Sequence, residues 1–102
     1  MTDAAWGAVL TLGVEEELML VDAQTLSQRP ASSEVIPRVR VQRGLVKHEL
    51  FESIVELNSG VCESPDEALD ILRSLRRATA EAARAAGCTI AAAGSHPMDI
   101  AT

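Results

Sequence analysis

The sequence predicts an α+β fold in which a mainly antiparallel sheet carries one long helix on one of its faces. Two segments, residues 9–21 and 44–62, alternate apolar with acidic or polar residues at the period of a strand. Between residues 64 and 87, apolar residues recur at helical spacing, and a short apolar run follows at 88–93. A single helix covers only one face of a small sheet. We therefore expect the acidic residues of the strands to occupy the other face.

The first predicted strand, residues 9–21, has three consecutive glutamates at its centre. Side chains alternate across a strand, so Glu15 and Glu17 share one face while Glu16 lies on the other. Glu16 has the parity of the leucines, and we expect it to have a partner such as an arginine or to lie at the rim of the sheet. The turn-rich residues 22–32 predict a hairpin or an approach to a short helix.

The second segment, residues 44–62, has one apolar face and one acidic face. Glu49 precedes Glu56 by seven residues, and this odd spacing would place the two on opposite faces of a single regular strand. A break near residues 50–52 would allow both side chains to point the same way. We therefore expect two strands joined by a tight link.

The long helix, residues 64–87, has start and stop signals at both ends. Ser64 is the predicted N-cap, Pro65 occupies the first helical position, and Glu67 completes a capping box. Gly87 is suited to the position after the last helical residue. The arginines of this helix lie off its apolar stripe, and we expect them to be solvated.

Length and charge exclude several classes of function. The 102 residues suffice for one small domain, and the net charge of −6 argues against a nucleic-acid partner. No apolar run approaches the roughly 20 residues needed to span a bilayer. The first ten residues lack the basic region of a secretory signal. We expect a cytoplasmic protein with no membrane partner.

Carboxylates on two strands predict a cation site. Glu15 and Glu17 on the first strand, with Glu52 and Glu56 on the second, would form one acidic patch if the strands are neighbours. A divalent cation would relieve their repulsion, and oxygen ligands favour Mg²⁺ or Mn²⁺ over Zn²⁺. A solvated acidic sheet face is the alternative, and the residues alone leave it open.

Three motifs, in this order, resemble the start of the glutamate–cysteine ligase type 2 family, in its carboxylate–amine ligase branch. They are LGVEEELMLVD, VKHELFESIVELNSGVC and, after the capped helix, AAAGSHP. The resemblance covers nearly all of residues 10–98. It implies part of a glutamine synthetase-like catalytic fold, which is a curved antiparallel sheet whose concave face is the active site.

The resemblance also implies an ATP-dependent ligase that joins a carboxylate, such as that of glutamate, to an amine, such as that of cysteine. The carboxylate would be phosphorylated, and the amine would attack the acyl phosphate to give a γ-glutamyl amide. Matched by motif, Glu15, Glu17, Glu49 and Glu56 would bind the Mg²⁺ or Mn²⁺ ions that hold ATP. Phosphoryl transfer depends on positioning and on neutralised charge, so no catalytic side-chain nucleophile is expected.

Glu52, Asn58 and His96 are further candidates for substrate binding. His96 lies in a Gly-Ser-His-Pro turn after the last predicted strand, where loops commonly meet substrate, although a plain turn is the alternative. His48 adjoins Glu49 and has either a supporting or a purely structural role.

Family members are several times longer than this chain, so residues 1–102 are expected to form a single partial domain holding part of an active site. Missing strands would leave open sheet edges, which favour self-association or pairing with the remainder of the domain. The alternative is a non-catalytic α+β assembly module, or an inactive fragment, whose stability is indifferent to divalent ions.

Overall fold

The computed structural model describes residues 11–92, which form a four-stranded antiparallel sheet with one long helix against it. This confirms the predicted α+β fold. The strands are β1 (Glu15–Asp22), β2 (Leu45–His48), β3 (Ile54–Asn58) and β4 (Cys88–Ala91), and the helices are α1 (Ser32–Val35) and α2 (Pro65–Ala85), with a 3₁₀ turn at Ile36–Arg38.

The strands lie in the order β2-β3-β1-β4, and each pair of neighbours is antiparallel. The central strand β1 begins at Glu15, later than the predicted start at residue 9. Within the described residues before it, Leu12 pairs with Cys62 in an isolated bridge. Gly13 and Gly60 lie between this bridge and the regular ladder. Gly60 has a φ of +75°, and a Cβ at Gly13 would lie 3.3 Å from the Gly60 carbonyl oxygen.

Residues 49–53 form the link between β2 and β3, which confirms the predicted break in the second segment. Gly44, immediately before β2, has a φ of +79°. In the described part of the chain, the outer strands β2 and β4 each pair on one side only.

Helix α2 begins as its capping residues predict. The Ser64 hydroxyl accepts a hydrogen bond from the Glu67 amide at 3.1 Å. The Glu67 carboxylate in turn accepts from the Glu63 amide at 2.7 Å, one residue before the N-cap. The first bond satisfies an amide that the first turn leaves without a helical partner, whereas the second ties the residue before the N-cap to the helix and replaces the bond to the Ser64 amide of a standard capping box. Gly87, with a φ of +78°, follows the end of the helix.

The two faces of the sheet differ in what they bury. The main core lies between α2 and the sheet, where Leu20, Leu57 and Leu75 are fully buried. The opposite face has a smaller apolar cluster of Met19, Val21 and Ile54, with Ala91 packed against it. Acidic residues therefore occupy only one end of that opposite face, since its other end is apolar and buried. No helix within residues 11–92 is long and apolar enough to cross a membrane.

Candidate cation site

One row of side chains crosses three strands on the face opposite α2. Lys47 on β2 is in register with Glu56 on β3, which is in register with Glu17 on β1. Residues directly opposite each other on antiparallel strands project to the same face, with Cβ atoms about 5 Å apart. The register therefore places two carboxylates and one ammonium side by side.

Glu49 joins this row from the link between β2 and β3. The carboxylates of Glu17, Glu49 and Glu56, called here the acidic triad, offer oxygen atoms that all lie within 4.8 Å of one another. The Leu50 amide donates a 2.9 Å hydrogen bond to Glu49 Oε1, which fixes this side chain at the turn. The break after β2 thus allows Glu49 and Glu56 to lie together, although their odd spacing would place them on opposite faces of a single regular strand.

Contact between their carboxylates shifts the pKa values of Glu17 and Glu49 in opposite directions. A hydrogen bond to Glu49 raises the pKa of Glu17 above its usual range, and the negative charges of Glu49, Glu56 and Glu15 add to this effect. The Leu50 amide holds the pKa of Glu49 low, and the hydrogen bond from Glu17 contributes in the same direction. The three neighbouring carboxylates therefore concentrate negative charge that a cation can neutralise.

Lys47 is the residue of this site that sequence reasoning missed. Its ammonium nitrogen lies 3.4 Å from Glu56 Oε2, and the side chains are 48% and 12% exposed respectively. The signal in the sequence was its spacing of two from Glu49, which gives both residues the same parity in a strand. The register that brings Lys47 opposite Glu56 is not visible in the sequence.

Glu15 and Asn58 form the next row along the same face, since they are in register across β1 and β3. The Asn58 side-chain amide donates to Glu15 Oε2 at 3.2 Å, and its oxygen accepts from the Gly60 amide at 2.8 Å. Glu15 thus lies beside the acidic triad without belonging to it. Its role as a metal ligand, and that of Asn58 in substrate binding, stay predictions.

The remaining candidates are separated from the acidic triad. Glu52 lies in the link before β3, where its side chain is exposed and its carbonyl oxygen accepts from the Ser32 amide. His48 is in register with Val55, on the face that carries α2, and is exposed. His96 lies outside the described residues. The proposed substrate contacts of Glu52 and His96 stay predictions.

Glu16 has an arginine partner, which was one of the two alternatives that its parity left open. Arg76 on α2 donates two hydrogen bonds to the Glu16 carboxylate, from Nε at 2.6 Å and from Nη2 at 2.7 Å. The expectation that this arginine is merely solvated is therefore wrong, because its guanidinium joins α2 to β1. Glu16 is held on the helix face and is separated by the sheet from the acidic triad.

Comparison with known proteins shows the family of this chain. A Rubrobacter xylanophilus protein named "Putative glutamate–cysteine ligase 2-1" is 41% identical over 89 residues, covering 86% of this chain and 24% of the relative. Proteins of Ralstonia pickettii and Sorangium cellulosum, both named "Putative glutamate–cysteine ligase 2", are each 39% identical over 91 residues. These alignments cover 87% and 86% of this chain and 24% of each relative.

The chain thus spans about a quarter of the length of the relatives it matches. Residues 11–102 match the sequence model of glutamate-cysteine ligase family 2 (GCS2). This match includes all four strands, both helices and the acidic triad. The resemblance inferred from the motifs is confirmed, and the chain belongs to glutamate-cysteine ligase family 2.

Proposed function

We propose that this chain supplies the cation-binding part of an ATP-dependent carboxylate–amine ligase. The observation that carries the proposal is the approach of three carboxylate oxygens to within 4.8 Å of one another, on the sheet face that α2 leaves uncovered. Membership of a family whose relatives bear glutamate–cysteine ligase names supports the same reaction class.

The acidic triad fits a Mg²⁺ or Mn²⁺ ion. Its donors are all carboxylate oxygens, which these ions prefer, whereas zinc sites use nitrogen and sulfur ligands more often. Magnesium–oxygen distances of about 2.0–2.1 Å place any two ligands at most about 4.2 Å apart. Oxygens within 4.8 Å of one another reach this spacing through small side-chain rotations. Glu17, Glu49 and Glu56 would hold the ion, and Glu15 in the next row would be available to a second one.

When bound there, the ion would neutralise charge on the phosphate oxygens of ATP. In the proposed reaction, the γ-phosphoryl group passes from ATP to an oxygen of the substrate carboxylate and ADP leaves. The acceptor amine then bonds to the carbonyl carbon, phosphate departs with the electrons of the carbon–oxygen bond, and the amine loses a proton. Glutamate as donor and cysteine as acceptor agree with the names of the relatives.

The complete reaction is assigned to the longer protein or assembly that includes this quarter of a family sequence. The open edges of β2 and β4 in the described residues are available for pairing with further strands. Because ATP is the energy source, we infer a cytoplasmic setting. A second candidate, a non-catalytic assembly module, would use the same open edges but would be indifferent to divalent ions.

A cation titration of the chain separates the two candidates. Calorimetry with Mn²⁺ or Mg²⁺ should show saturable binding that Glu17→Gln and Glu56→Gln each weaken by about tenfold or more, since even supporting residues of metal sites contribute this much. The matched control is Glu81→Gln, which makes the same charge change at an exposed position of α2. Equal affinity in all four proteins would contradict the proposed site.

The reaction itself requires a family sequence of full length. We expect release of ADP from ATP that depends on both a carboxylate, tested first as glutamate, and an amine from a panel that includes cysteine. Glu56→Gln should abolish this release. Absence of ADP release with every acceptor would contradict the proposed ligase activity.

A further inference from the structure

The two partners of the Lys47–Glu56 ion pair differ in exposure because Lys47 lies on an outer strand and Glu56 on an inner one. Lys47 lies on the outer strand β2 and reaches the acidic triad from the edge of the sheet. Its side chain is 48% exposed, whereas that of Glu56 is only 12% exposed. The lysine therefore has room to move away, while Glu56 stays in place between two strands.

The ion pair of Lys47 also differs from the others in the residue to which it binds. Among the ion pairs of the described residues, Lys47–Glu56 is the one that includes a member of the acidic triad. The four other pairs join arginines to Asp22, Glu67, Asp70 and Glu16. Within residues 11–92, positive charge thus reaches the triad through one flexible side chain.

A divalent cation and the Lys47 ammonium cannot both remain close to Glu56 without repulsion. The ammonium nitrogen lies 3.4 Å from Glu56 Oε2, and a magnesium ion bound to this carboxylate would lie about 2.1 Å from an oxygen of the same group. The two positive centres would then be only a few ångströms apart. Because lysine is a compact charge on a flexible four-carbon chain, it is the partner that yields.

We propose that Lys47 is the built-in counter-ion of Glu56 and competes with the divalent cation for the acidic triad. In the cation-free state its ammonium offsets part of the triad's negative charge, and on cation binding it is displaced toward the solvent-exposed edge of β2. Lys47 thereby lowers the affinity of the site and sets the cation concentration at which the site fills. The inference rests on the cation site of the proposed function, whose regulation it describes.

Substitution of Lys47 should strengthen cation binding, which a purely structural residue would not do. Titration of Lys47→Met with Mn²⁺ alone should give an affinity several-fold higher than that of the unsubstituted chain. Coulomb's law gives a change of about tenfold for one charge roughly 6 Å from a divalent ion in a water-like medium. Lys47→Arg keeps the charge and should stay within about twofold of the unsubstituted chain.

Arg73→Met is the matched control, because it removes one positive charge from an exposed pair on α2, on the other side of the sheet. It should leave the Mn²⁺ affinity unchanged. In a chelator, Lys47→Met should also unfold at a lower denaturant concentration, and added Mn²⁺ should raise its midpoint by more than that of the unsubstituted chain.

The outcomes separate this inference from the cation site itself. If the unsubstituted chain shows no saturable Mn²⁺ binding that Glu56→Gln weakens, the proposed site fails, and the competition fails with it. If the chain binds Mn²⁺ but Lys47→Met binds with equal or lower affinity, only the competition is overturned. Tighter binding by Lys47→Met, with Lys47→Arg and Arg73→Met unchanged, supports it.

Discussion

Replacement of Gly44 by alanine tests how β2 is held against the rest of the fold. Gly44 precedes β2 and has a φ of +79°, which L-amino acids with a side chain rarely adopt. A Cβ at this position would lie 2.9 Å from the Asn58 carbonyl oxygen, 2.9 Å from Leu75 Cδ1 and 3.0 Å from Ile71 Cγ2. These contacts are too short to persist, so the substitution must move β2 or the side chains of α2.

Two effects add to the expected loss of stability. The left-handed backbone conformation disfavours alanine by about 1–2 kcal/mol. Overpacking of this crowded position against the core contributes roughly 1–3 kcal/mol more. Gly44→Ala should therefore lower the free energy of unfolding by about 2–5 kcal/mol, a large share of the roughly 5–15 kcal/mol typical of a domain.

Gly60, two residues after the end of β3, provides a matched control. Its φ of +75° is nearly that of Gly44, but a Cβ there would meet nothing within 4 Å. Gly60→Ala should therefore show only the backbone effect, about 1–2 kcal/mol. Urea unfolding of both variants would measure the difference, which we expect to be about 1–3 kcal/mol. Equal losses in the two variants would refute the claim that Gly44 is required by close packing.

Three further predictions concern charge and assembly. Glu16→Gln and Arg76→Met should show a coupling of about 0.5–1 kcal/mol in a double-mutant cycle, and strict additivity would contradict the pair. In the presence of a chelator, the raised pKa of Glu17 means that the folded chain keeps its proton to a higher pH than the unfolded chain does. The free energy of unfolding should therefore fall as pH rises above 4.5. Urea midpoints across this range should fall less steeply for Glu17→Gln; parallel curves would contradict the shift. In the described residues β2 and β4 each have one open edge, which should make the isolated chain self-associate; a monodisperse monomer in sedimentation would count against this.

The features of this fold that could be predicted from sequence are local ones. The capping residues Ser64 and Glu67 fix the start of α2 through bonds to nearby amides, so four residues of sequence contain the signal. The odd spacing of Glu49 and Glu56 required a break, and the link at residues 49–53 provides it. In each case the physical cause lies within about one turn or one hairpin of the residue that shows it.

The features that could not be predicted depend on contacts between distant segments. Parity predicted that Glu16 would have a partner such as an arginine or would lie at the rim, but the pairing with Arg76 depends on how α2, 60 residues away, docks on the sheet. Likewise, Glu52 lies four residues before Glu56, a spacing that would place both on one face of a regular strand, but Glu52 falls in the link before β3. Glu49, at the start of the same link, is the glutamate whose carboxylate reaches the acidic triad. Register and docking arise from packing of the whole domain.

The distribution of charge on the sheet explains how so small a domain can carry a cluster of three carboxylates. The apolar cluster of Met19, Val21 and Ile54 occupies one end of the face opposite α2, and the main core occupies the face beneath α2, so neither depends on the acidic end. At that end, the Lys47 ammonium offsets part of the negative charge, since it lies 3.4 Å from Glu56 Oε2. In the proposed competition the ammonium would leave when a cation binds, whereas the backbone register that aligns Glu17 with Glu56 would remain. The sheet therefore keeps the three glutamates close together, and the proposed binding would require displacement of one side chain and small rotations of the carboxylates.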